Sequence, residues 1–475
     1  MKRLFILMIA ALSLAVSCQK EKKADAVTYP MFWTWLEDLP DVDMEASFKA
    51  MHEAGIDGVM LHAVTEEDYK RDIEIARKYG ITVYAWVWTL NPPRQDRPQM
   101  LEEHPDWFDV NREGKSLTEY KAYVNSYKFM CPILPEVRQN MVDRINWLCG
   151  IDGIEGICLD YCRLVDVVLP MSLSYIYGIR QDGEVFPQWD FGYHPAMINA
   201  FVAEYGYDPR ELEDPSRDAK WRQFRCDKVT ECANLLAETV RKHGKVVTAS
   251  PFATPKVASF MVAQDWGKWD LDIVFPMLYT DFYTQEPGYA YDGTIENNRD
   301  KNPKTVLGVG LDTELPGPGE NIFAKMDNAF KAGAQAVSLY TVAGLDSPEL
   351  RARFKTYADS LRAVRAANGG KVPYVKVEEM DLDPFRRPTL MAVVERNIQR
   401  TIAGEPIHER SVNGMVPDDP SKVYPALDLT EYELIQENDR IKTYRVTDKA
   451  SGKTLDVVFV IYGEVISGWD VRLVE

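Results

Sequence analysis

Ala54-Gly55-Ile56-Asp57-Gly58-Val59 and Ala332-Gly333-Ala334-Gln335-Ala336-Val337 are one phrase written twice. In each, a helical pattern runs out, a glycine supplies the turn that ends it, and a short apolar run follows. That is the joint by which a helix hands the chain back to a buried parallel strand. Working outward from these two joints, the same unit recurs: a β-branched or aromatic run, a loop, then a stretch of helical period. The runs are Tyr29–Trp35, Ile56–His62, Ile81–Trp88, Gly156–Tyr161, Val246–Pro251, Ile273–Tyr279, Thr305–Leu311 and Ala336–Tyr340. Alternation of this kind predicts a parallel sheet with crossover helices. Eight units predict closure into a (β/α)8 TIM barrel, an α/β fold, rather than an open sheet.

The intervening helices have legible ends. Asp43-Met44-Glu45 opens one that stops at Gly55, and Thr65-Glu66-Glu67-Asp68 caps one that stops at Gly80. Pro135–Cys149 carries Val137, Met141, Ile145 and Leu148 on one stripe, and Lys220–His243 turns Trp221, Phe224, Cys232, Leu236 and Val240 inward. Asn321–Ala332 and Pro348–Ala367 complete the set. After Gly369-Gly370 the texture changes. Arg387–Ala403 is one amphipathic helix, and Tyr432–Val446, Thr454–Tyr462 and Trp469–Val474 alternate with period two, the first two joined by a turn at Lys449–Lys453. The expected organisation is a barrel over 29–370 and a small C-terminal α+β module over 371–475, read as a packing or spacer unit.

The N-terminus reads differently. Lys2 and Arg3 precede an apolar run, Leu4–Val16, too short for a stable membrane helix and typical of an export signal. Ala15-Val16-Ser17-Cys18 resembles a bacterial lipobox, with Ala where Leu is commoner three residues before the cysteine. Cys18 is then the expected lipidation site, residues 1–18 the signal and 19–28 a tether to the membrane. The expected location is an exported lipoprotein on the outer membrane. An ordinary secretory signal with a chance cysteine is the other reading. The remaining cysteines lack zinc spacing and read as small buried residues.

The 475 residues carry a formal net charge of −18. An acidic surface repels nucleic acid and anionic headgroups, so neutral partners are favoured. The sequence has no G-x-S-x-G elbow, H-E-x-x-H motif or P-loop, and Gly308-Val309-Gly310 lies within a strand without the rest of a dinucleotide fingerprint. With six His, a His-rich metal centre is not expected, and no cofactor is implied. Nothing in the sequence bears on oligomeric state.

A TIM barrel builds its site where the strands end and the βα loops converge. Two features stand at those ends. The first is tryptophan pairs at i and i+2, Trp33 with Trp35 and Trp86 with Trp88, each pair on one face of its strand. Such rings either line a cleft where sugar faces stack or plug the barrel. The second is carboxylates: Asp160, Asp281, Asp312 and Glu314. Cleaving a glycosidic bond needs a carboxylic acid to protonate the leaving oxygen and a second carboxylate as nucleophile or base, from different strands. Asp160, after a wholly apolar strand, is the leading candidate, with Arg163 placed to orient it or keep it ionised. A structural Asp–Arg pair is the alternative. Glu314 or Asp281 is the expected partner and Asp312 a lesser choice; all three are equally read as loop caps. His62, Tyr161, Tyr279 and Tyr340 also stand at strand ends and join the expected substrate-binding set with Trp33, Trp35, Trp86, Trp88, Arg163 and Asp312.

Several segments together resemble the glycosyl-hydrolase-like family 10 of bacterial barrel proteins. They are His104-Pro105-Asp106-Trp107, Asn111-Arg112-Glu113-Gly114-Lys115, Cys131-Pro132, Pro135-Glu136-Val137-Arg138, the run Ile154–Arg163 into Asp160-Tyr161-Cys162-Arg163, and Trp221–Arg225. Ser250-Pro251, Gln264-Asp265-Trp266 with Trp269, and Pro276-Met277-Leu278-Tyr279 follow in order. The resemblance spans roughly Tyr29 to Leu345 and implies a barrel acting on polysaccharides or glycan strands, with Asp160 functional. The chain departs from the pattern in two places. Tyr161 stands where some members carry a second acid, and Leu164-Val165 where Tyr-Pro is usual. The expected activity is O-glycosyl hydrolysis. A glycan-binding barrel without chemistry is the alternative, and a lyase or transglycosylase the third reading.

Overall fold

The two joints fold as their glycines require. Gly55 (φ 74°) closes α1 (Met44–Ala54), and Gly333 (φ 110°) follows α10 (Ile322–Lys331). Asp57 then accepts a hydrogen bond from the amide of Phe32 (2.9 Å) and an ion pair from Arg362 (3.0 Å), tying the start of the first strand to the last barrel helix. The structure is a computed structural model describing residues 29–169, 177–283, 288–313, 321–345, 347–377, 383–405, 409–411, 414–416, 421–462 and 465–474. The signal with Cys18, the tether and Glu314 lie outside the described residues.

Eight parallel strands close a barrel in sequential order: β1 (Phe32–Glu37), β2 (Gly58–His62), β3 (Thr82–Trp88), β4 (Ile154–Asp160), β5 (Val246–Ala249), β6 (Ile273–Val274), β7 (Val306–Asp312) and β8 (Ala336–Tyr340). β8 pairs back onto β1, Val337 opposite Phe32. β6 is far shorter than the sequence predicts, because Pro276 has no N–H for the ladder. α2 (Glu66–Tyr79) starts on the Thr65–Asp68 capping box, and α4 (Pro135–Gly150) buries Val137, Met141, Ile145 and Leu148 as its stripe predicts. α3 (Arg97–Glu103), α5 (Pro195–Tyr205), α6 (Ala219–Lys242), α7 (Pro255–Val262), α8 (Thr280–Tyr283), α9 (Tyr289–Asp300) and α11 (Pro348–Ala367) are the remaining barrel helices with assigned ranges.

Strand alternation separates two apolar layers. Outward residues such as Val59, Leu61, Val83, Val87, Leu159 and Val309 pack under the helices. Inward residues Trp33, Trp35, Met60, Tyr84, Cys158, Ile273, Phe275 and Ala336 fill the barrel. The lowest inward layer is aromatic, with Trp33 4.5 Å from Tyr84 and 5.8 Å from Phe275 between ring centroids. Three glycines make room for it: a Cβ on Gly58 would enter the Trp33 ring, one on Gly156 the Tyr84 ring, and one on Gly308 the Phe275 ring. Gly58→Ala is therefore expected to destabilise the protein by about 1–3 kcal/mol through overpacking. A denaturant midpoint equal to that of the wild type would show that the ring has room to slide.

The C-terminal module places α12 (Pro388–Ile402) against an antiparallel sheet, β11 (Glu433–Glu437), β12 (Ile441–Asp448), β13 (Lys453–Tyr462) and β14 (Val465–Leu473), beside a small ribbon of β9 (Glu409–Ser411) and β10 (Gly414–Val416). The segment expected as one strand, Tyr432–Val446, is two. Asn438 accepts the amides of Arg440 (2.8 Å) and Ile441 (2.9 Å) and turns the chain between β11 and β12. All five β11 residues are exposed, so no alternation marks where it stops. One face of the sheet covers Leu390, Val394 and Ile398 of α12. On the other face, Ile441, Val458 and Val460 join the core of the barrel.

Candidate functional site

Asp160 is the last residue of β4, and three local features fix its carboxyl. Its carbonyl accepts both the amide (2.9 Å) and the hydroxyl (2.8 Å) of Thr89, locking the ends of β3 and β4 together. The Trp86 indole N–H donates to Oδ2 (2.9 Å). The Tyr161 amide donates to Oδ1 (2.7 Å), and Tyr161 takes a left-handed backbone (φ 52°) that turns the chain out of the strand. A β-region residue there would carry the chain onward in the direction of the strand. A non-glycine residue in this conformation is sparsely populated and is held only where its surroundings determine it.

Burial raises the Asp160 carboxyl to about 6, against the pull of the Trp86 and Tyr161 N–H groups and a weaker one from Arg163. A carboxyl that keeps its proton to near-neutral pH in an aromatic surround is suited to act as a general acid.

The aromatic surround is continuous. Trp35 meets Trp86 edge-on at 5.0 Å, Trp86 meets Trp88 at 5.8 Å, and Trp88 meets Tyr161 at 5.1 Å. The Trp35 indole N–H donates to Ser338 Oγ (2.6 Å), which pins its ring to β8. His62 stacks on Trp88 at 5.9 Å, with Nδ1 3.3 Å from the Trp86 carbonyl; burial lowers the imidazole, which is neutral at pH 7. On the opposite side, Tyr279 and Tyr340 stack at 5.8 Å, and Tyr340 is 42% exposed at the rim. Burial raises the Tyr279 hydroxyl well above its ordinary value, and both Asp160 and Asp312 lie close enough to add to that.

Two expected site residues stand elsewhere. Trp33 is fully buried in the lowest layer, its indole donating to the Pro30 carbonyl (2.8 Å); it plugs the barrel and lines no cleft. Arg163 does not pair with Asp160. Its guanidinium lies 3.0 Å from Asp166 and 3.0 Å from the Tyr127 hydroxyl, inside a box of Tyr127, Phe129, Tyr161 and Phe252 rings 4.9–5.4 Å away. The left-handed turn at Tyr161 carries it away from the carboxyl.

Asp312 ends β7, where it accepts the Thr280 amide (3.1 Å) and pairs with the almost fully buried Lys325 (3.0 Å). It joins the end of β7 to α8 and α10. Asp281 lies in α8, the first helix after β6. Sequence reasoning found Trp86 as a ring but not as the donor to Asp160, and it missed Thr89, Asp166, Lys325 and Ser338. Ser338 was findable, since alternation along β8 puts it inward with Tyr340. Among the described residues no group of three or more His, Cys, Asp or Glu is placed to hold a metal ion. The six cysteines from Cys131 to Cys232 are buried and free.

No family model and no curated protein matches the chain. Solved structures similar to it include a beta-N-acetylhexosaminidase, at 10% identity and a TM-score of 0.40 over 74% of this chain and 80% of that one. A GH30 endoxylanase from Clostridium papyrosolvens is 9% identical, with a TM-score of 0.33, over 91% of this chain and 81% of that one. An AP endonuclease of family 2 from Brucella melitensis is 11% identical, with a TM-score of 0.33, over 67% and 97%. Likeness at this level says nothing of reaction or substrate, and the barrel assignment stands on the chain's own closed sheet.

Proposed function

We propose that this protein is a glycoside hydrolase whose general acid is Asp160. The observation that carries the reading is a single carboxyl at the end of β4, raised to about 6 by burial and held by two N–H donors on an aromatic floor. Trp35, Trp86, Trp88, Tyr161, Tyr279 and Tyr340 supply ring faces of the kind that sugar C–H faces stack on. The protonated Asp160 gives its proton to the leaving glycosidic oxygen. A second carboxylate attacks the anomeric carbon or takes a proton from water. Asp281 and Glu314, which follow β6 and β7 in the sequence, are the residues from which that partner is drawn, since Asp312 is committed to Lys325 and Thr280. A separation of about 5 Å between the two carboxyls means retention of configuration, and about 6.5–9.5 Å inversion.

Release of reducing ends from a panel of polysaccharides by the full-length chain tests the reading. Turnover is expected for the wild type. Binding without turnover across the panel would instead support a glycan-binding barrel, and unsaturated or anhydro products a lyase or transglycosylase.

Trp86→Phe supplies a pH test. Removing its N–H takes away a bond that favours the ionised carboxylate, so the Asp160 carboxyl rises further. A hydrogen bond to a charged group is worth about 1.5–3 kcal/mol, and about 1.4 kcal/mol moves a titration by one pH unit. The alkaline limb of the kcat/KM profile is expected to move up by about one pH unit or more. An unmoved limb would mean that Asp160 is not the group whose protonated form works.

A further inference from the structure

The segment after Asp160 is held from a direction the barrel does not supply. Leu164 donates its amide to the Val262 carbonyl (2.9 Å) and Val167 to Met261 (2.9 Å), so the loop lies along the end of α7. Farther on, Gln181 staples the loop to itself: Oε1 accepts the Leu169 amide (2.9 Å), while Nε2 donates to the carbonyls of Val167 (2.9 Å) and Glu184 (3.0 Å). The next two residues, Asp182 (φ 51°) and Gly183 (φ 78°), are left-handed, and the turn they make brings the Glu184 amide back to the Gln181 carbonyl (2.9 Å).

The C-terminal module touches those two residues and α7. Arg440, at the β11–β12 turn, is 4% exposed; its guanidinium donates to the Gly183 carbonyl (3.2 Å) and to both the carbonyl and the hydroxyl of Ser216 (3.0 Å each). It also lies 5.1 Å over the ring of Phe260 on α7. A Cβ on Gly183 would sit 2.8 Å from Arg440 Cβ, so the turn and the arginine are fitted to each other. Arg472 of β14 grips the Asp182 carboxylate with both terminal guanidinium nitrogens, one at 2.9 Å. Ile441, Val458 and Val460 seal the same face with apolar contacts. The ladder is unbroken from Arg440 through Gly183, Gln181 and Val167 to the Arg163–Asp166 pair and the Tyr161 ring beside Asp160.

We infer that the C-terminal module is a positioning element of the candidate active site, with Arg440 the positioning residue that holds the loop running from Tyr161 to Leu169. The packing or spacer unit expected from sequence takes on a specific role, a clamp on both flanks of that loop, its turn and α7. The catalytic consequence rests on the hydrolase reading; the loop-holding itself does not.

Amide hydrogen exchange on the full chain separates the two. Arg440→Ala is expected to speed exchange at Leu164, Val167 and Leu169 about tenfold or more, because a local opening that was clamped becomes cheap. Arg440→Lys, which keeps one donor, is expected to recover part of the protection. Arg445→Ala breaks an exposed pair with Asp456 on the same sheet and should leave these amides unchanged. On whichever glycan the wild type cleaves, Arg440→Ala is expected to lower kcat about tenfold to a hundredfold with KM little changed, since loss of orientation acts on the transition state. If Arg440→Ala fails to fold, Arg472→Ala carries the same comparison. Unchanged exchange at the three amides overturns the inference, as does faster exchange with unaltered kcat. A wild type that cleaves no glycan would sink the hydrolase reading alone, with the exchange comparison still deciding whether the module holds the loop.

Discussion

Asp160→Asn is expected to lower kcat by about 10²–10⁴-fold, the range that a positioned general acid supplies. The substitution keeps the size of the side chain and one of its acceptors, so the barrel folds and glycan binding survives. A second signature comes from linkage. The folded carboxyl titrates at about 6 and the unfolded one near 3.9. A group raised on folding holds its proton more tightly in the native state. Its contribution to stability is therefore fully present below about pH 4 and is lost as pH rises through about 6. Two pH units of separation set a ceiling of about 3 kcal/mol, and the partial exposure of Asp160 lowers this to about 2 kcal/mol. Asparagine has nothing to titrate. Between pH 4 and pH 7.5 the wild type should lose about 2 kcal/mol relative to the variant, read from denaturant unfolding of both proteins at each pH. Parallel stabilities across that range would mean that Asp160 ionises normally, and the general-acid assignment would fall with it. A protein that pays stability at neutral pH to keep one carboxyl protonated has a use for that proton.

The barrel was legible because its two periodicities are both strong. Glycine joints such as Gly55 and Gly333, and buried runs such as Val59–Leu61, need no tertiary information to be read. α9 was not legible, since its buried side mixes Tyr289, Ala290 and Ile295 with Gly293, Thr294, Glu296 and Asn297, and the polar residues break up the apolar stripe. In the site, alternation told correctly that Trp33 and Trp35 share a face. It could not tell depth. The two rings are about 6.6 Å apart along the strand, and only the pairing of Trp33 with Gly58 places the first at the floor and the second near the mouth. Arg163 misled for a related reason. Three residues after a strand end suggests a neighbour of Asp160 only if the chain continues straight, and the left-handed Tyr161 is a local choice with no sequence signature. Tyr161 thus stands at both features: its amide donates to the Asp160 carboxyl, and its left-handed backbone turns the chain that carries Arg163.

Arg163→Met is expected to cost about 3–5 kcal/mol of stability, the usual consequence of removing one partner from a buried ion pair. Both side chains are about 95% enclosed, and the methionine would leave the buried Asp166 side chain with no cation against it. Four aromatic rings also lose the guanidinium plane they surround. The double variant Arg163→Met, Asp166→Leu removes the stranded charge as well, and is expected to regain much of the loss, because a well-packed apolar pair can replace a buried ion pair at little net cost. A double variant no more stable than the single one would place the energy in the ring box rather than in the ion pair. The activity of the folded fraction carries the sharper point. Arg163 contributes least among the influences on the Asp160 carboxyl, after burial, the Trp86 indole and the Tyr161 amide. The double variant should therefore lose rate, as the loop loosens, while its pH–rate profile keeps its alkaline limb. A limb displaced as far as in Trp86→Phe would mean that Arg163 acts on the carboxyl directly. An unmoved limb with a reduced rate separates the two jobs: Trp86 sets when Asp160 holds its proton, and Arg163 sets where the loop beside it stands.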